Sequence, residues 1–293
     1  MKIGWIGTGV MGASMAGHLQ KAGHDLSVFS RTKKKAEGLI EKGAQWYESP
    51  AEVAANADIV FTIVGLPTDV REVYLEEEGI LSGNPACSIV VDMTTSQPSL
   101  AKTLFGEAAK KGVESLDAPV SGGDIGARDA KLAIMVGGAK QTFKKVLPLF
   151  QLMGPTISFM GGPGNGQHTK VSNQIVVAGN MIGACEALIY AFKQGLDMQQ
   201  VIDIVGKGAA ASWSFNNLGP KIVKADYDPG FFVEHFIKDM GIALEESAAV
   251  GLSLPGLALV RQLYIAVKAQ GHGRSGTQAL FLALQALNGE GSE

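Results

Sequence analysis

A lysine and two amides follow a glycine-rich segment in the second half of the chain, which reads GPGNGQHTKVSNQIVVAGN over residues 162–180. In a helix that starts near Gly166, four residues are spaced i, i+3, i+4 and i+7 and share one face: Lys170, Asn173, Gln174 and Val177. This face begins polar and becomes apolar, which is typical of a buried helix that opens into a pocket. A helix-start lysine that extends to solvent is the alternative, and it is favoured for this segment taken alone.

The start of the chain carries a nucleotide-binding pattern. A strand-like run ends in GTGVMG, a GxGxxG motif, and a helical pattern follows. The first glycine allows a tight turn, the second lets backbone N–H groups approach a pyrophosphate, and the third permits close helix–strand packing. The helix N-terminus adds partial positive charge. We predict a dinucleotide site made by Gly7, Thr8, Gly9, Val10, Met11 and Gly12.

The end of the second predicted strand indicates which dinucleotide is bound. A site for NAD usually carries a carboxylate there for the ribose 2′-hydroxyl. This segment instead reads Ser30-Arg31-Thr32, with Lys35 one helical turn later. Arg31 can stack on adenine and pair with a 2′-phosphate, Thr32 can donate a hydrogen bond, and Lys35 adds charge. A solvated helix start is the alternative. The pattern favours NADP(H) and leaves NAD(H) open.

Three further turns follow predicted strands. Ligands of doubly wound sheets bind at the carboxyl ends of the strands, so the turns at Val64-Gly65-Leu66-Pro67 and Thr94-Thr95-Ser96 are expected to flank the cofactor. In the segment DAPVSGG, residues 117–123, the backbone N–H groups of Ser121, Gly122 and Gly123 could form a nest for a carboxylate. Taken alone, that segment is equally consistent with a plain loop.

Short apolar runs alternate with helical patterns over the first half of the chain. The predicted strands are Ile3–Ile6, Leu26–Phe29, Ile59–Val64, Ile89–Asp92, Glu114–Asp117, Ala133–Val136 and Thr156–Phe159. The helical patterns between them include Met11–Ala22, Lys33–Lys42, Pro50–Ala55, Ser99–Lys111 and Lys140–Met153. This alternation predicts a mainly parallel, doubly wound α/β sheet.

The pattern changes near residue 164. Helical periodicity dominates residues 166–193, 197–206, 234–250, 255–269 and 275–288, and the cluster GGPGNG marks a boundary. We predict a dinucleotide-binding Rossmann domain over residues 1–163 and an all-helical domain for substrate and oligomerisation over residues 164–293.

Composition argues against several classes of function. A net charge of −3 gives no general attraction to nucleic acid or to an anionic membrane surface. The two cysteines lie far apart without a CxxC pattern, and the five histidines show no ligand spacing, so neither a disulfide scaffold nor a metal site is expected.

The longest apolar stretch and the first residues bear on cellular location. Residues 175–192 are interrupted by Asn180 and Glu186, which favours a buried core helix over a membrane span. The sequence starts with a strand-like run and lacks the layout of a signal peptide. We expect a cytoplasmic protein, and the long apolar C-terminal helices favour a homo-oligomer, either a dimer or a tetramer.

Four motifs occur in a fixed order along the chain. They are the loop Gly7–Gly12, the segment DAPVSGG, the run Gly162-x-Gly164-x-Gly166-x-x-x-Lys170-x-x-Asn173, and the pair Lys238-Asp239 in FIKDMGIAL. Together they closely resemble the β-hydroxyacid dehydrogenase family, which includes 3-hydroxyisobutyrate dehydrogenases, tartronate semialdehyde reductases and glyoxylate/succinic semialdehyde reductases. The resemblance covers essentially the whole chain. It implies a Rossmann domain joined by a long helix to an all-helical domain.

The resemblance also implies roles for individual residues. Lys170 matches the catalytic lysine, and Asn173 matches a substrate-orienting amide. Ser121, Gly122 and Gly123 match the carboxylate-binding segment. Thr95 matches a residue that contacts the cofactor, and Lys238 a lysine near the cofactor and the active site. The basic motif around Arg31 is similar to that of the NADPH-preferring glyoxylate/succinic semialdehyde reductases.

The chain departs from the family pattern at a few positions. Gln174 stands where the family often has a second asparagine, and Ala130-Lys131 replaces a commoner glycine–threonine pair. We include Gln174 and Asp239 in the predicted substrate site. Trp213 and Phe231 are predicted pocket walls, although an aromatic residue in a helical domain is more often part of the core.

The predicted chemistry is reversible hydride transfer between nicotinamide C4 and the carbonyl carbon of a small carboxylate-bearing substrate, with Lys170 as general acid and base. An ordinary lysine pKa of about 10.4 is poorly matched to this task, so partial burial and a nearby Lys238 are expected to lower it. An imine reductase of the same architecture and a non-catalytic dinucleotide-binding protein are the alternatives.

Overall fold

The computed structural model describes residues 1–289. They form two compact units, of which the first is Met1–Lys170 and the second begins at Val171. The sequence predicted the change after residue 163. The division lies further on because the first turn of the helix that begins at Asn165 is hydrogen-bonded to strand ends of the first unit.

A single sheet forms the centre of the first unit and has nine strands within the described residues. They are β1 (Lys2–Ile6), β2 (Asp25–Phe29), β3 (Gln45–Trp46), β4 (Ile59–Thr62), β5 (Ile89–Asp92), β6 (Glu114–Asp117), β7 (Val120–Ser121), β8 (Ala133–Gly138) and β9 (Thr156–Gly161). The order is β3-β2-β1-β4-β5-β6-β8-β7, with β9 beside β8. Strands β1 to β6 are parallel, and β8 is antiparallel to β6 and β7.

This strand order places a crevice where the connections change direction, between β1 and β4. The order 3-2-1-4-5-6 is that of dinucleotide-binding sheets, whose ligands lie outside the carboxyl ends of the strands. The turns after β1, β2, β4 and β5 therefore meet along one edge. The predicted α/β Rossmann fold is confirmed.

Helices cover both faces of the sheet. They are α1 (Val10–Lys21), α2 (Glu37–Ile40), α3 (Pro50–Ala55), α4 (Pro67–Leu75), α5 (Pro98–Lys110), α6 (Gly123–Arg128) and α7 (Lys140–Phe150), with a 3-10 turn at Lys33–Ala36. In β4, Phe61 joins one hydrophobic cluster and Val60 the cluster on the opposite face. A strand buried on both faces reads as a continuous apolar run, which is why IVFT was recognised as a strand.

Helices make up the second unit. They are α8 (Asn165–Lys193), which starts in the first unit, α9 (Met198–Val205), α10 (Trp213–Val223), α11 (Val233–Ala249), α12 (Pro255–Val267) and α13 (Leu280–Leu287), with a π-helical turn at Lys268–His272 and a 3-10 turn at Thr277–Ala279. In α8, Met181, Cys185 and Leu188 form a buried stripe that packs in one core with Phe236 and Tyr264. The predicted all-helical domain joined through a long helix is also confirmed.

Helix α8 is also long and apolar enough to span a membrane when length and composition alone are considered. Core helices of soluble proteins meet the same criterion, and the buried stripe of α8 is part of a protein core in the second unit.

Some elements were not predicted. Strands β3 and β7 have two residues each, which is too short for an alternating pattern to be recognised. Helix α6 has six residues and contains glycines, and α10 contains Pro220, so both lack the usual helix composition. The seven predicted strands are all present, with ends that differ by at most two residues.

A buried carboxyl group lies beneath the carboxyl edge of the sheet. Asp92, at the end of β5, accepts hydrogen bonds from the Thr62 hydroxyl and the Thr94 backbone N–H, both at 3.0 Å. The Tyr74 hydroxyl lies 3.0 Å from the Thr62 hydroxyl. Burial raises the pKa of Asp92 to about 6, although its hydrogen bonds act in the opposite direction.

We expect the substitution Asp92→Asn to change how stability depends on pH. An unfolded aspartate has a pKa of about 3.9, so between about pH 4 and 6 the native state binds more protons than the unfolded state. The free energy of unfolding should therefore rise by about 1 kcal/mol from this group as the pH falls from 7 to 5. Asparagine keeps the acceptor oxygen and removes the titration.

Urea unfolding of wild type and Asp92→Asn at pH 5 and pH 7 measures this difference. The wild type should gain more stability than the variant at the lower pH. Equal pH dependence in the two proteins would show that Asp92 is ionised normally in the native state.

Candidate functional site

The glycine loop after β1 forms an open cradle. Gly7 has φ of +96°, and a Cβ atom there would overlap the Ile63 carbonyl oxygen. A Cβ atom on Gly12 would overlap the Gly7 carbonyl, which explains the close packing of α1 on the sheet. A Cβ atom on Gly9, by contrast, would meet no atom of the described chain within 4 Å. Gly9 is thus unconstrained by packing and faces the space above the start of α1.

Two polar features of this cradle suit a pyrophosphate. The first turn of α1 carries no acidic residue, so its N–H groups keep their positive character. The Thr8 hydroxyl is buried and has no hydrogen-bond partner within residues 1–289. A buried polar atom without a partner is costly, and a phosphate oxygen would satisfy it.

Arg31 is held in place by a residue far along the sequence. Its guanidinium forms a two-pronged contact with the Asp69 carboxylate, at 3.0 Å and 3.4 Å. Asp69 also accepts the Leu66 backbone N–H at 3.0 Å, which fixes the carboxylate at the first turn of α4. The Arg31 side chain remains 71% exposed. Arg31 is therefore oriented by Asp69 and keeps donors available to solvent.

The other predicted cofactor residues around β2 surround Arg31. Thr32 and Lys35 are exposed, and Ser30 is half-buried at the end of the strand. Lys33 lies over the Trp46 ring, with its Nζ 5.2 Å from the ring centroid. Within this basic segment, Lys33 therefore contacts an aromatic ring, whereas Arg31 is held at the edge of the crevice by Asp69.

The turns after β4 and β5 are joined to each other. The Val64 backbone N–H donates to the Thr94 hydroxyl at 3.0 Å. Val64 is half-buried and Pro67 starts α4, while Leu66 is exposed beside the crevice. Thr95 lies in the second turn, between the buried Thr94 and Ser96. The predicted cofactor turns therefore form one connected edge.

Asp117, the first residue of DAPVSGG, anchors the start of α8. Its two carboxylate oxygens accept the backbone N–H groups of Gly164 at 2.8 Å and Gln167 at 2.9 Å. A Cβ atom on Gly137 or Gly166 would overlap this carboxylate, so both positions need glycine. Burial raises the pKa of Asp117 to about 6, while the backbone donors lower it. No role for Asp117 was predicted from the sequence.

The predicted carboxylate-binding segment continues from Asp117. Ser121 ends β7, and Gly122 and Gly123 adopt φ of +135° and +64°, which side chains strongly disfavour. Ala130 also has a positive φ, +53°, in the left-handed region that favours glycine. That conformation explains why a glycine is commoner than alanine at this position in the family pattern.

Lys170 lies on α8 one turn after this anchored start. It is 7% exposed and therefore buried. The same helix carries Asn173 and Gln174 at the i+3 and i+4 positions, as predicted.

A chain of buried and half-buried polar side chains lies within the second unit. The Asn173 amide donates to Gln174 Oε1 at 2.6 Å, and Gln174 Nε2 donates to Asp239 Oδ2 at 2.6 Å. Lys238 Nζ pairs with Asp239 Oδ1 at 2.8 Å. Asp239 was predicted to bind substrate, yet both of its oxygens contact these neighbours. Its carboxylate orients Gln174 and Lys238, and its contact with substrate stays a prediction.

The two predicted pocket aromatics lie outside this polar chain. Phe231 packs against Phe236, with ring centroids 5.6 Å apart, at the margin of the helical core. Trp213 begins α10 and is 64% exposed.

A histidine lies near Lys238 on α11. Burial lowers the pKa of His235, and the charge of Lys238 acts in the same direction.

Several residues that shape the site were missed in the sequence. Asp69, Asp117 and Gln167 have partners 38, 47 and 71 residues away in the chain, so no local pattern indicates them. The position of Asp69 in the first turn of a helix after a strand was the one available signal. Within residues 1–289, no group of three or more His, Cys, Asp or Glu side chains could hold a metal ion.

Two models of known protein families match successive parts of the chain. A family model described as the NAD binding domain of 6-phosphogluconate dehydrogenase matches residues 2–162. A second, described as NAD-binding of NADP-dependent 3-hydroxyisobutyrate dehydrogenase, matches residues 164–284.

Individual relatives match along almost the whole chain. A probable mitochondrial 3-hydroxyisobutyrate dehydrogenase-like protein of Arabidopsis thaliana is 54% identical over 98% of this chain and 86% of its own length. The 2-hydroxy-3-oxopropionate reductase of Escherichia coli is 38% identical over 98% of both chains. A Mycobacterium tuberculosis 3-hydroxyisobutyrate dehydrogenase structure with L-serine is 31% identical, with a TM-score of 0.87 over 97% of this chain and 99% of that one.

These matches support a nicotinamide dinucleotide as the cofactor, and the open cradle with its unsatisfied Thr8 hydroxyl fits that group. Gly7, Thr8, Gly9, Val10, Met11 and Gly12 would hold the pyrophosphate.

The substitution Gly9→Ala separates binding from folding. Gly9 has φ of −70°, which alanine adopts freely, and the added methyl group would enter the cradle without meeting protein atoms. We expect an unchanged or slightly higher midpoint of thermal unfolding and a loss of dinucleotide affinity of about tenfold or more, since a methyl group would block the close approach of phosphate to the backbone.

Fluorescence titration with NADPH and NADH measures the affinity. Gly106→Ala is the matched control, because Gly106 is exposed in α5 and a Cβ atom there also meets no neighbour in the described chain. Undiminished affinity in Gly9→Ala would place the pyrophosphate elsewhere.

Proposed function

Because the chain belongs to the β-hydroxyacid dehydrogenase family, we propose that it transfers a hydride between NADP(H) and a small β-hydroxyacid or semialdehyde. The observation that carries this proposal is the buried Lys170, which follows an anchored helix start and shares a helix face with Asn173. When bound, the nicotinamide supplies the hydride in reduction and accepts it in oxidation.

Lys170 moves the proton that balances this transfer. In reduction, the substrate carbonyl carbon gains a hydride and its oxygen gains a proton from Lys170 Nζ. In oxidation, the neutral lysine accepts the hydroxyl proton as the hydride leaves the carbon. Asn173 orients the same oxygen without adding charge, and Gln174 with Asp239 holds the Asn173 amide in position.

The substrate carboxylate is assigned to Ser121, Gly122 and Gly123. Gly122 and Gly123 have positive φ directly after β7, and consecutive backbone N–H groups in such a turn can form a nest for an anion. Two relatives support a substrate of this class by name, as a 2-hydroxy-3-oxopropionate reductase and a 3-hydroxyisobutyrate dehydrogenase. Glyoxylate and succinic semialdehyde share the carbonyl and carboxylate that these residues would recognise.

The preference for NADP(H) rests on Arg31. The Asp69 carboxylate fixes the guanidinium at the crevice edge while most of its surface stays exposed. A guanidinium has five donors, so those not directed at Asp69 can bind a 2′-phosphate while its plane stacks on adenine. Thr32 and Lys35 add a hydrogen bond and a second charge.

The substitution Lys170→Ala tests the proposed acid and base. Removal of a general acid–base group lowers kcat by about 100-fold to 10,000-fold, while the affinity for NADPH should stay within about twofold because the cradle lies elsewhere on the sheet edge. The matched control is Lys193→Ala, at the exposed end of α8.

The rates are measured with both nucleotides. The compounds tested for reduction are glyoxylate, succinic semialdehyde, tartronate semialdehyde and methylmalonate semialdehyde. 3-Hydroxyisobutyrate and serine are tested in the reverse direction. Turnover in Lys170→Ala comparable to wild type would remove Lys170 from this role. A wild-type protein that binds NADPH and turns over none of these compounds would be a non-catalytic dinucleotide-binding protein or an imine reductase, which an imine substrate distinguishes.

The substitution Arg31→Ala tests the cofactor preference. It should raise KM for NADPH by about tenfold or more and leave KM for NADH nearly unchanged, because NADH lacks the 2′-phosphate that the guanidinium binds. Arg71→Ala, which removes an exposed arginine from α4, controls for the loss of surface charge. Equal increases in both KM values would contradict the assignment of Arg31 to the 2′-phosphate.

A further inference from the structure

We infer that Gln167 is a positioning residue that fixes where Lys170 lies relative to the turn after β5. This inference rests on the proposed function, since it requires Lys170 to be the proton-transfer group. Gln167 is an uncharged side chain in the first turn of α8, and neither the glycine motif nor the lysine face includes it.

The Gln167 amide makes both of its contacts with one turn. Its Oε1 accepts the Ser96 backbone N–H at 3.0 Å, and its Nε2 donates to the Thr94 carbonyl at 2.7 Å. These two backbone groups flank Thr95, and Gln167 is completely buried, with 0% exposure. The side chain therefore clamps the predicted cofactor turn from within the protein.

The backbone of the same residue is fixed from a second strand. The Gln167 N–H donates to Asp117 Oδ2 at the end of β6. Gln167 is thus connected to the ends of two adjacent parallel strands, β5 and β6, through three hydrogen bonds. A residue held at three points cannot rotate about the axis of α8 without breaking them.

Lys170 follows Gln167 by three residues, which is slightly less than one helical turn. A rotation of the first turn of α8 would therefore move Lys170 by a similar angle. Displacement of a reacting group by about 1 Å can lower a rate by about 100-fold. The distance between the cofactor turn and Lys170 therefore depends on hydrogen bonds made by Gln167.

Only a side chain with a donor and an acceptor of this length satisfies both contacts. Methionine fills the same volume and makes neither hydrogen bond. Glutamate accepts from the Ser96 N–H but places a second oxygen against the Thr94 carbonyl. When protonated, glutamate regains a donor, so the Gln167→Glu variant offers a reversible test.

The experiment compares Gln167→Met and Gln167→Glu with wild type in the full-length protein, with Gln151→Glu, at an exposed position, as control. We expect kcat to fall tenfold or more in both Gln167 variants, with a smaller rise in substrate KM. In Gln167→Glu, the ratio of its kcat to that of wild type should increase as the pH falls from 8 to 6. Circular dichroism confirms that each variant is folded.

A double-mutant cycle with Lys170→Ala identifies the residue through which Gln167 acts. If Gln167 only positions Lys170, then Gln167→Met should not lower the residual rate of Lys170→Ala any further. Multiplicative losses in the double variant would overturn the inference, since Gln167 would then act independently of the lysine. A pH-independent kcat ratio in Gln167→Glu would also contradict it.

The outcomes separate this inference from the proposed function. If Lys170→Ala loses activity while both Gln167 variants keep kcat within twofold of wild type, the function stands and the positioning role is overturned. If Lys170→Ala keeps its activity, Lys170 is not the proton-transfer group. The proposed chemistry is then wrong, and the inference that depends on it is wrong as well. If Gln167→Met does not fold, the kcat and pH profile of Gln167→Glu decide.

Discussion

The buried carboxylate of Asp117 determines where the longest helix of the molecule begins. Two backbone N–H groups at the start of α8 converge on it, and hydrogen bonds to a charged acceptor each contribute about 1.5–3 kcal/mol. Without such donors, a carboxylate at this depth would be strongly destabilising. Gly137 and Gly166 provide the space for this approach. Together with the contacts of the Gln167 side chain, these hydrogen bonds hold the first turn of α8, which Lys170 follows.

The dinucleotide side of the site is constrained in a different way. There, close backbone packing at Gly7 and Gly12 shapes the loop, and Gly9 is left open for a ligand. The Arg31–Asp69 pair adds a fixed cation at the rim without burying it. The first unit therefore combines a rigid cradle of backbone N–H groups, which suits a pyrophosphate, with a solvent-exposed cation at its rim.

The fold and part of the site could be predicted because their signals are local. GTGVMG lies between a strand and a helix, and Lys170 and Asn173 lie on one helix face, so short windows of sequence contain the whole pattern. The contacts of Asp69 and Gln167 join segments that only the folded sheet brings together.

The role assigned to Asp239 illustrates the same limit. Adjacent in sequence to a predicted site lysine, it was included with the substrate residues. In the structure its oxygens contact Lys238 and Gln174, a residue 65 positions earlier in the chain. The glutamine that departs from the family pattern is thus integrated into a hydrogen-bonded chain. Local adjacency indicates that a residue is near a site, but the partners of a buried carboxylate decide what it does.

The short segment between Gln167 and Lys170 also affects which sequence changes the chain can tolerate. One end of that segment is held by strand ends, and the other carries the ammonium. Each residue of an α-helix advances the chain by about 100° around the axis, since one turn takes 3.6 residues. Inserting or deleting a single residue there would point the lysine away from its present direction even if every side chain were kept. The length of this segment is therefore under stricter constraint than its composition.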